Sequence, residues 1–378
     1  MQQIGALQAR TLKTAHGQGG AHASRPIRPV LFRRVKTQLI RVHAGGLAFR
    51  DWAAEGRLRH TSFRGIRDAE PASEIVSKMS APEAGSARSR AGQKCTVALT
   101  HPDRLYWPDA GVTKQGLADY YAAIWPRIAP FIVDRPLALL RCPEGIDGPR
   151  FFQKNGWKGM NAHIRTLDDP ATGTAEHLIG IHDLDGLMGL VQSAVLEIHP
   201  WGAACRDWER PDQLVMDLDP GEGVAWERVI DAARDVGERL EASGLTPYVK
   251  TSGGKGLHVV APLKPEADWE TVKAFSRTLA QTMAADRPDR YIATITKAKR
   301  HGKILLDYLR NQRGATSVAP YSTRARAGAP VSMPLSWDEL GQITGSAQFT
   351  VNNALTRLTA LRADPWAAFH TARRPIQP

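Results

Sequence analysis

The chain has 378 residues, enough for two or three domains. Its 42% hydrophobic and 23% charged content is that of a globular protein, and no window approaches 18 uninterrupted apolar residues, so no membrane-spanning helix is predicted. The net charge of +12 is uneven: residues 1–95 carry 17 Lys/Arg against 6 Asp/Glu, and residues 96–378 carry 33 against 32. A basic N-terminal segment favours an anionic partner, whereas any nucleic-acid site on the nearly neutral body must come from local arrangement.

Residues 1–30, with "HGQGGAHASRP", are Gly-rich and aperiodic and are expected to be disordered. Residues 31–66 hold two strand-like pieces, "QLIRVHAGGLAFRDW" and "GRLRHTSFRGI", around a turn signal at Ala54-Glu55-Gly56. The polar stretch "APEAGSARSRAGQK" over 81–94 reads as a linker and a domain boundary. Beyond Thr96, "TKQGLADYYAAIWPRIAPFI" (113–132) predicts a helix with Thr113 as N-cap. A strand over "LALLRCPEG" follows, then a helix and a strand within 184–202, and a strand and turn in "QLVMDLDPGEG". The 3.6 periodicity of 224–244 predicts a helix capped by Gly244. Two strands flank the Gly-rich turn of "TPYVKTSGGKGLHVVAPL", a helix covers 267–288, and "GKILLDYLRN" is a strand. The tail "QFTVNNALTRLTALRADPWAAF" is predicted mostly helical. Alternating strands and helices predict an α/β (α+β) body. Cys95, Cys142 and Cys205 lie far apart, in no zinc spacing, which fits a reducing compartment.

Three pieces carry chemistry. In a strand, residues i and i+2 share a face, so Asp217 and Asp219 aim together where Pro220-Gly221 ends the run. They form an oxygen-ligand pair for a divalent cation or two solvated turn aspartates. The "SGGKG" turn is a phosphate cradle, with Ser252, Lys255 and His258 as hydroxyl, cation and donor, or an ordinary hairpin; it lacks Walker A spacing. Asp307 lies inside an apolar strand, to be partnered by Arg300, Lys303 or Arg310, or to complete a carboxylate triad. Three carboxylates beside a phosphate-binding turn suit nucleotidyl transfer assisted by two metal ions.

The order D-x-D, S-G-G-K-G-x-H, then a strand Asp resembles the archaeo-eukaryotic primase superfamily, with its two-sheet core and flanking helices. "LTHPDRLYWPDAGVTKQGLADYY", "RPLALLRCPEG", "FFQKN", "LEIHPWG", "MDLDPGEG", "TSGGKGLHVV", "LLDYLRNQRG", "VAPYSTRAR" and "LRADPWAAF" are similar to the polymerase domain of bacterial DNA ligase D, over about 96–370. "LAFRDWAAEGRLRHTSFRGIRD" resembles the end of that enzyme's ligase OB-fold, which makes 31–80 a remnant of it. No K-x-D-G lysine precedes it, so autonomous ligation is not expected. The acid-free first 50 residues otherwise suggest a transit peptide, a reading that the ligase-like remnant over 31–80 argues against.

The resemblance implies a template-directed polymerase of bacterial non-homologous end joining, acting in the cytosol at the nucleoid. It would prefer Mn²⁺ over Mg²⁺, use two ions, favour ribonucleotides, and fill gaps or extend breaks that bear a 5′-phosphate. Ku and a separate ligase are the implied protein partners. Asp217, Asp219 and Asp307 take the metal-ligand roles. His199, Ser252, Lys255, His258, Arg300 and Arg324 take the nucleotide roles, although His199 without the resemblance reads as a satisfied core histidine beside Pro200 and Trp201. Arg104 and Lys114 match the 5′-phosphate pocket, where the family usually has Lys at the first position. His101 stands where relatives can carry Asn. Phe151 and Phe152 match the pair that stacks on template bases, against an alternative of two core aromatics. The rival function is a DNA-end-binding module with decayed catalysis that recruits Ku or a ligase.

Overall fold

The computed structural model describes residues 95–377 and six short strands between residues 32 and 63. The expected disorder of 1–30, the linker over 81–94 and most of the OB-fold remnant lie outside these residues. The chain divides into two compact units, residues 1–86 and 87–378.

In the first unit, β1 (Phe32–Val35) pairs antiparallel with β2 (Gln38–Arg41). β3 (Leu47–Ala48) pairs with β6 (Ser62–Phe63), and β4 (Asp51–Trp52) with β5 (Leu58–Arg59). The last two pairs share one antiparallel register, while the predicted turn at Ala54-Glu55-Gly56 lies outside the described residues.

The second unit begins with a small hairpin of β7 (Leu105–Trp107) and β8 (Val112–Thr113). It feeds α1 (Lys114–Ile132), whose N-cap Thr113 accepts from the Gly116 amide. A five-stranded sheet is built around β9 (Leu137–Arg141): β13 (Val195–Pro200) runs along one edge. On the other edge lie β10 (Phe151–Gln153) and β12 (Gly173–Gly180), with β11 (Arg165–Asp169) outside β12. Helix α2 (Leu184–Gln192) packs on this layer.

The larger sheet has six strands. β14 (Gln213–Pro220) lies between β16 (Leu257–Pro262) and β18 (Ile304–Asp307), antiparallel to both. β15 (Tyr248–Thr251) and β19 (Pro334–Leu335) extend one side, and β17 (Tyr291–Ile292) adds parallel to β18. Helices α3 (Trp226–Ala242) and α4 (Trp269–Asp286) cover it. Gly244 has φ +79°, the left-handed geometry that ends α3. Leu214, Met216, Leu218, Val229, Ala233, Val259 and Ala280 are fully or almost fully buried between sheet and helices, which fixes which face of β14 is left for polar residues.

The tail departs from its prediction. Helix α5 covers only Val351–Ala360. Leu361 is extended, and Pro365 disfavours a helical Asp364 before it. The turn that follows brings Trp366 and Phe369 into stacked contact and both onto Phe131 and Tyr248. The apolar residues of the tail thus serve an aromatic cluster rather than a helix stripe. β10, β11 and β12 were not predicted, and none of the helices described is long and apolar enough to cross a membrane.

Candidate active site

Strand register assembles the site. Asp217 of β14 lies opposite His258 of β16 on one side and opposite Asp307 of β18 on the other. Lys250 of β15 lies opposite His258. One row across four strands therefore reads Lys250, His258, Asp217, Asp307, and Asp219 follows on the same face of β14. Opposed Cα atoms in antiparallel pairs are about 4.5–5.5 Å apart, so the Asp217 and Asp307 carboxylates are neighbours.

The carboxylates meet cations in the structure. Arg310 spans two of them: Nε is 3.3 Å from Asp217 Oδ2, and Nη2 is 3.2 Å from Asp307 Oδ2. Arg300 Nη1 lies 3.1 Å from Asp219 Oδ2 and its Nη2 donates to the Ile295 carbonyl. His258 Nε2 is 3.3 Å from Asp217 Oδ1. Burial opposes the Asp217 charge, yet His258, Arg310 and Lys250 hold its carboxyl well below the usual range. Burial and the Asp217 charge push Asp219 up. Burial also raises Asp307, with Asp217 adding to it and Arg310 opposing. His258 is lowered to about 4 by burial and by Lys250, so it is neutral at pH 7. Lys250 donates from Nζ to Ser332 Oγ at 2.7 Å, and its burial drives its own pKa far down.

The Gly-rich turn packs directly on this strand. A Cβ at Gly256 would fall 1.7 Å from the Leu218 carbonyl oxygen, between the two aspartates, and one at Gly221 would fall 1.9 Å from the Arg300 carbonyl oxygen. Only glycine allows either approach. Ser252 is buried; its hydroxyl accepts from the Gly254 and Gly256 amides at 3.2 and 3.3 Å and meets Ser346 Oγ at 3.1 Å. It braces the turn, while Lys255 projects into solvent at its tip.

Arg324 joins the two sheets. Its Nη1 donates to the Ser252 carbonyl and its Nε lies 3.0 Å from Glu197 Oε2. Glu197 also receives His199 Nε2 at 2.8 Å and the Ala325 amide at 2.9 Å. Against the opposing effect of its burial, His199 and Arg324 bring Glu197 down to about 2. Sequence reasoning missed Glu197. The signal was its i, i+2 relation to His199 on a strand, the same relation that marked Asp217 and Asp219.

Phe151 and Phe152 are 52% and 55% exposed, so they are not core aromatics. Phe152 sits edge-on to His199, with centroids 5.8 Å apart. The hairpin of β7 and β8 brings Arg104 and Lys114 together, the Lys114 amide donating to the Arg104 carbonyl. Arg104 is exposed and donates to the Pro143 carbonyl; Lys114 is buried and donates to the Thr100 carbonyl at 2.8 Å. Burial and Arg104 lower the Lys114 pKa. His101 is exposed, with φ +52°. Both alternatives weighed for Asp307 are therefore open at once: Arg310 partners it, and it shares a face with Asp217 and Asp219.

Among the described residues no three His, Cys, Asp or Glu side chains converge as a closed ligand set. The donor set nevertheless fits a hard divalent cation: three carboxylates share one sheet face, Asp217 and Asp307 are directly opposed, and burial together with the Asp217 charge raises Asp219 and Asp307.

Residues 113–366 match the family described as LigD, primase-polymerase domain. The multifunctional non-homologous end joining protein LigD of Pseudomonas aeruginosa is 36% identical over 329 residues, which are 85% of this chain and 39% of that protein. The multifunctional non-homologous end joining DNA repair protein LigD of Mycobacterium tuberculosis is 33% identical over 271 residues, 69% of this chain and 35% of its own length. The chain thus spans roughly two fifths or less of these relatives. The solved polymerase domain of Mycobacterium tuberculosis ligase D, in complex with DNA, superposes with a TM-score of 0.67 at 29% identity, covering 74% of this chain and all of that one. Fold, motif order and family match agree: the chain belongs to the LigD primase-polymerase domain family, a primase-polymerase type of nucleotidyltransferase.

Proposed function

We propose that this protein adds nucleotides to DNA 3′ ends at gaps and double-strand breaks during bacterial non-homologous end joining. The observation that carries this reading is the row of His258, Asp217 and Asp307, with Asp219 beside it, packed under the Gly-rich turn. Asp217, Asp219 and Asp307 would hold two divalent ions, Mn²⁺ in preference to Mg²⁺. Bound there, such ions supply neutralising charge to the triphosphate and lower the pKa of the attacking 3′-hydroxyl.

The chain's own groups divide the remaining work. Lys255 at the turn tip and the Arg300 and Arg324 guanidiniums receive the triphosphate, and Glu197 keeps Arg324 and His199 in place. His258, neutral at pH 7, leaves Asp217 ionised as an acceptor. Exposed Phe151 and Phe152 offer stacking faces to template bases. Arg104 and Lys114 are two adjacent cations with no carboxylate bridged to either among the described residues, an arrangement suited to a 5′-phosphate. Ribonucleotide preference, work beside Ku and a separate ligase, placement at the nucleoid, and descent of residues 31–80 from a ligase OB-fold complete the reading.

Gap filling on 5′-phosphorylated DNA, with NTPs or dNTPs in Mn²⁺ or Mg²⁺, tests it. Wild type is expected to extend, best with NTPs and Mn²⁺, and Asp217→Ala to lose extension while still binding DNA. Extension that survives Asp217→Ala removes the metal assignment. Absence of extension by wild type under all four conditions leaves the end-binding module in its place.

A further inference from the structure

A polar cavity of about 370 Å³ lies away from the carboxylate row. It is lined by Arg135, Arg206, Arg373, His370, Asp212 and Asp134, among others. Asp212 immediately precedes β14. A strand rises about 3.3 Å per residue, so Asp212 and Asp217 are roughly 17 Å apart along the chain.

Three guanidiniums share the one buried carboxylate of Asp212. Arg135 grips it with both Nη atoms, at 2.7 and 2.6 Å, with its own side chain only 6% exposed. Arg373 Nη2 is 3.1 Å from the same Oδ2, and Arg206 Nη2 stands 3.9 Å away at the mouth. Asp134, the other acid of the lining, is bonded to His182 at 3.0 Å. Two buried nitrogens of this cluster, Arg373 Nε and His370 Nε2, have no hydrogen-bond partner. Asp212 is already held by both Nη atoms of Arg135 and by Arg373 Nη2, which leaves Arg373 Nε and His370 Nε2 unmatched beside an open volume, with the exposed Arg206 guanidinium close by. Unpaired buried donors of this kind are costly unless something accepts from them.

We infer that this cavity is an anion site for a small free phosphate or diphosphate group, separate from the polymerase centre. Tetrahedral oxyanions match the requirement: several acceptor oxygens, a charge of about −2, and affinity for guanidinium forks. The inference does not depend on the metal roles of Asp217, Asp219 and Asp307. A concave, part-buried cluster suits a compact solute better than a duplex backbone, which runs along exposed basic surface.

Calorimetry of the full chain with inorganic phosphate and with pyrophosphate, at low and high salt, tests this. Wild type is expected to bind at least one of them saturably. Arg206→Gln with Arg373→Gln should weaken binding at least tenfold, as the loss of two charge-assisted bonds implies. Gap filling by that variant should be unchanged. Lys255→Gln, which alters the Gly-rich turn instead, should leave this binding intact. If the double variant does not fold, Arg206→Gln alone, at an exposed side chain, should give a smaller loss of the same kind. No saturable binding by wild type, or loss in Lys255→Gln and not in the arginine variants, overturns the site. Displacement of bound phosphate by a 5′-hydroxyl single-stranded oligonucleotide overturns the small-anion assignment in favour of a nucleic-acid backbone.

Discussion

Glu197 shows how much one carboxylate can organise. It holds His199, Arg324 and a backbone amide at once, and it is 5% exposed. Glu197→Gln keeps the shape but leaves the Arg324 guanidinium without its counter-charge. Charged hydrogen bonds are worth about 1.5–3 kcal/mol, so kcat/KM for the nucleotide should fall roughly tenfold to a hundredfold, mostly through KM. Unaltered nucleotide kinetics with a lowered Tm would make Glu197 a purely structural residue. Arg310 presents the opposite case, a cation standing where carboxylates would otherwise repel one another. A divalent ion held as proposed would have to compete with it. Arg310→Ala should therefore lower Tm in chelator and tighten Mn²⁺ binding severalfold, read as a larger Mn²⁺-induced rise in Tm than in wild type. Equal rises would show that Arg310 does not occupy the ion's place.

At the level of elements, the turn and β14 are one device. Gly256→Ala drives a methyl into the Leu218 carbonyl, 1.7 Å away. A loss of about 3 kcal/mol or more in urea unfolding is expected, together with loss of extension; a variant with wild-type stability would mean the turn can lift away freely. Much of this device was legible in the sequence. Period-two patterning put Asp217 and Asp219 on one face, and Pro220-Gly221 and the SGGKG run marked the strand ends. What was not legible depends on register between distant segments. Asp217 meets His258 and Asp307 across gaps of 41 and 90 residues, and nothing local fixes such pairings. The same limit hid Glu197 with Arg324, and Ser252 with Ser346. β10 to β12 escaped because strands such as "RTLDD" lack apolar alternation and draw their order from β9. The tail was overextended for a different reason: Trp366 and Phe369 have helical spacing but are gathered by a Pro365 turn.

The whole molecule buries histidines in their neutral form. His258 and His370 are both held at about 4, chiefly by burial, against about 6.5 when unfolded. Between those values the unfolded chain binds protons that the folded chain refuses. The contribution of these two histidines to stability is thus complete above about pH 6.5 and is lost as pH drops towards 4. Thermal melts from pH 7 to 4 should show Tm declining across that window, with a shallower slope in His370→Gln; a flat profile would contradict the neutral assignment. Charge is also partitioned, with the excess of Lys/Arg in residues 1–95 and a near balance beyond. The central position of β14 has one more consequence. Its alternate residues Leu214, Met216 and Leu218 are buried, while Asp217 and Asp219 take the other parity. A length change of a single residue inside this strand would swap odd for even, sending acids into the helix-covered layer and leucines to the reaction face. Lineages of this domain are therefore free to lengthen the connections on either side of β14, but the strand itself can change only by substitution.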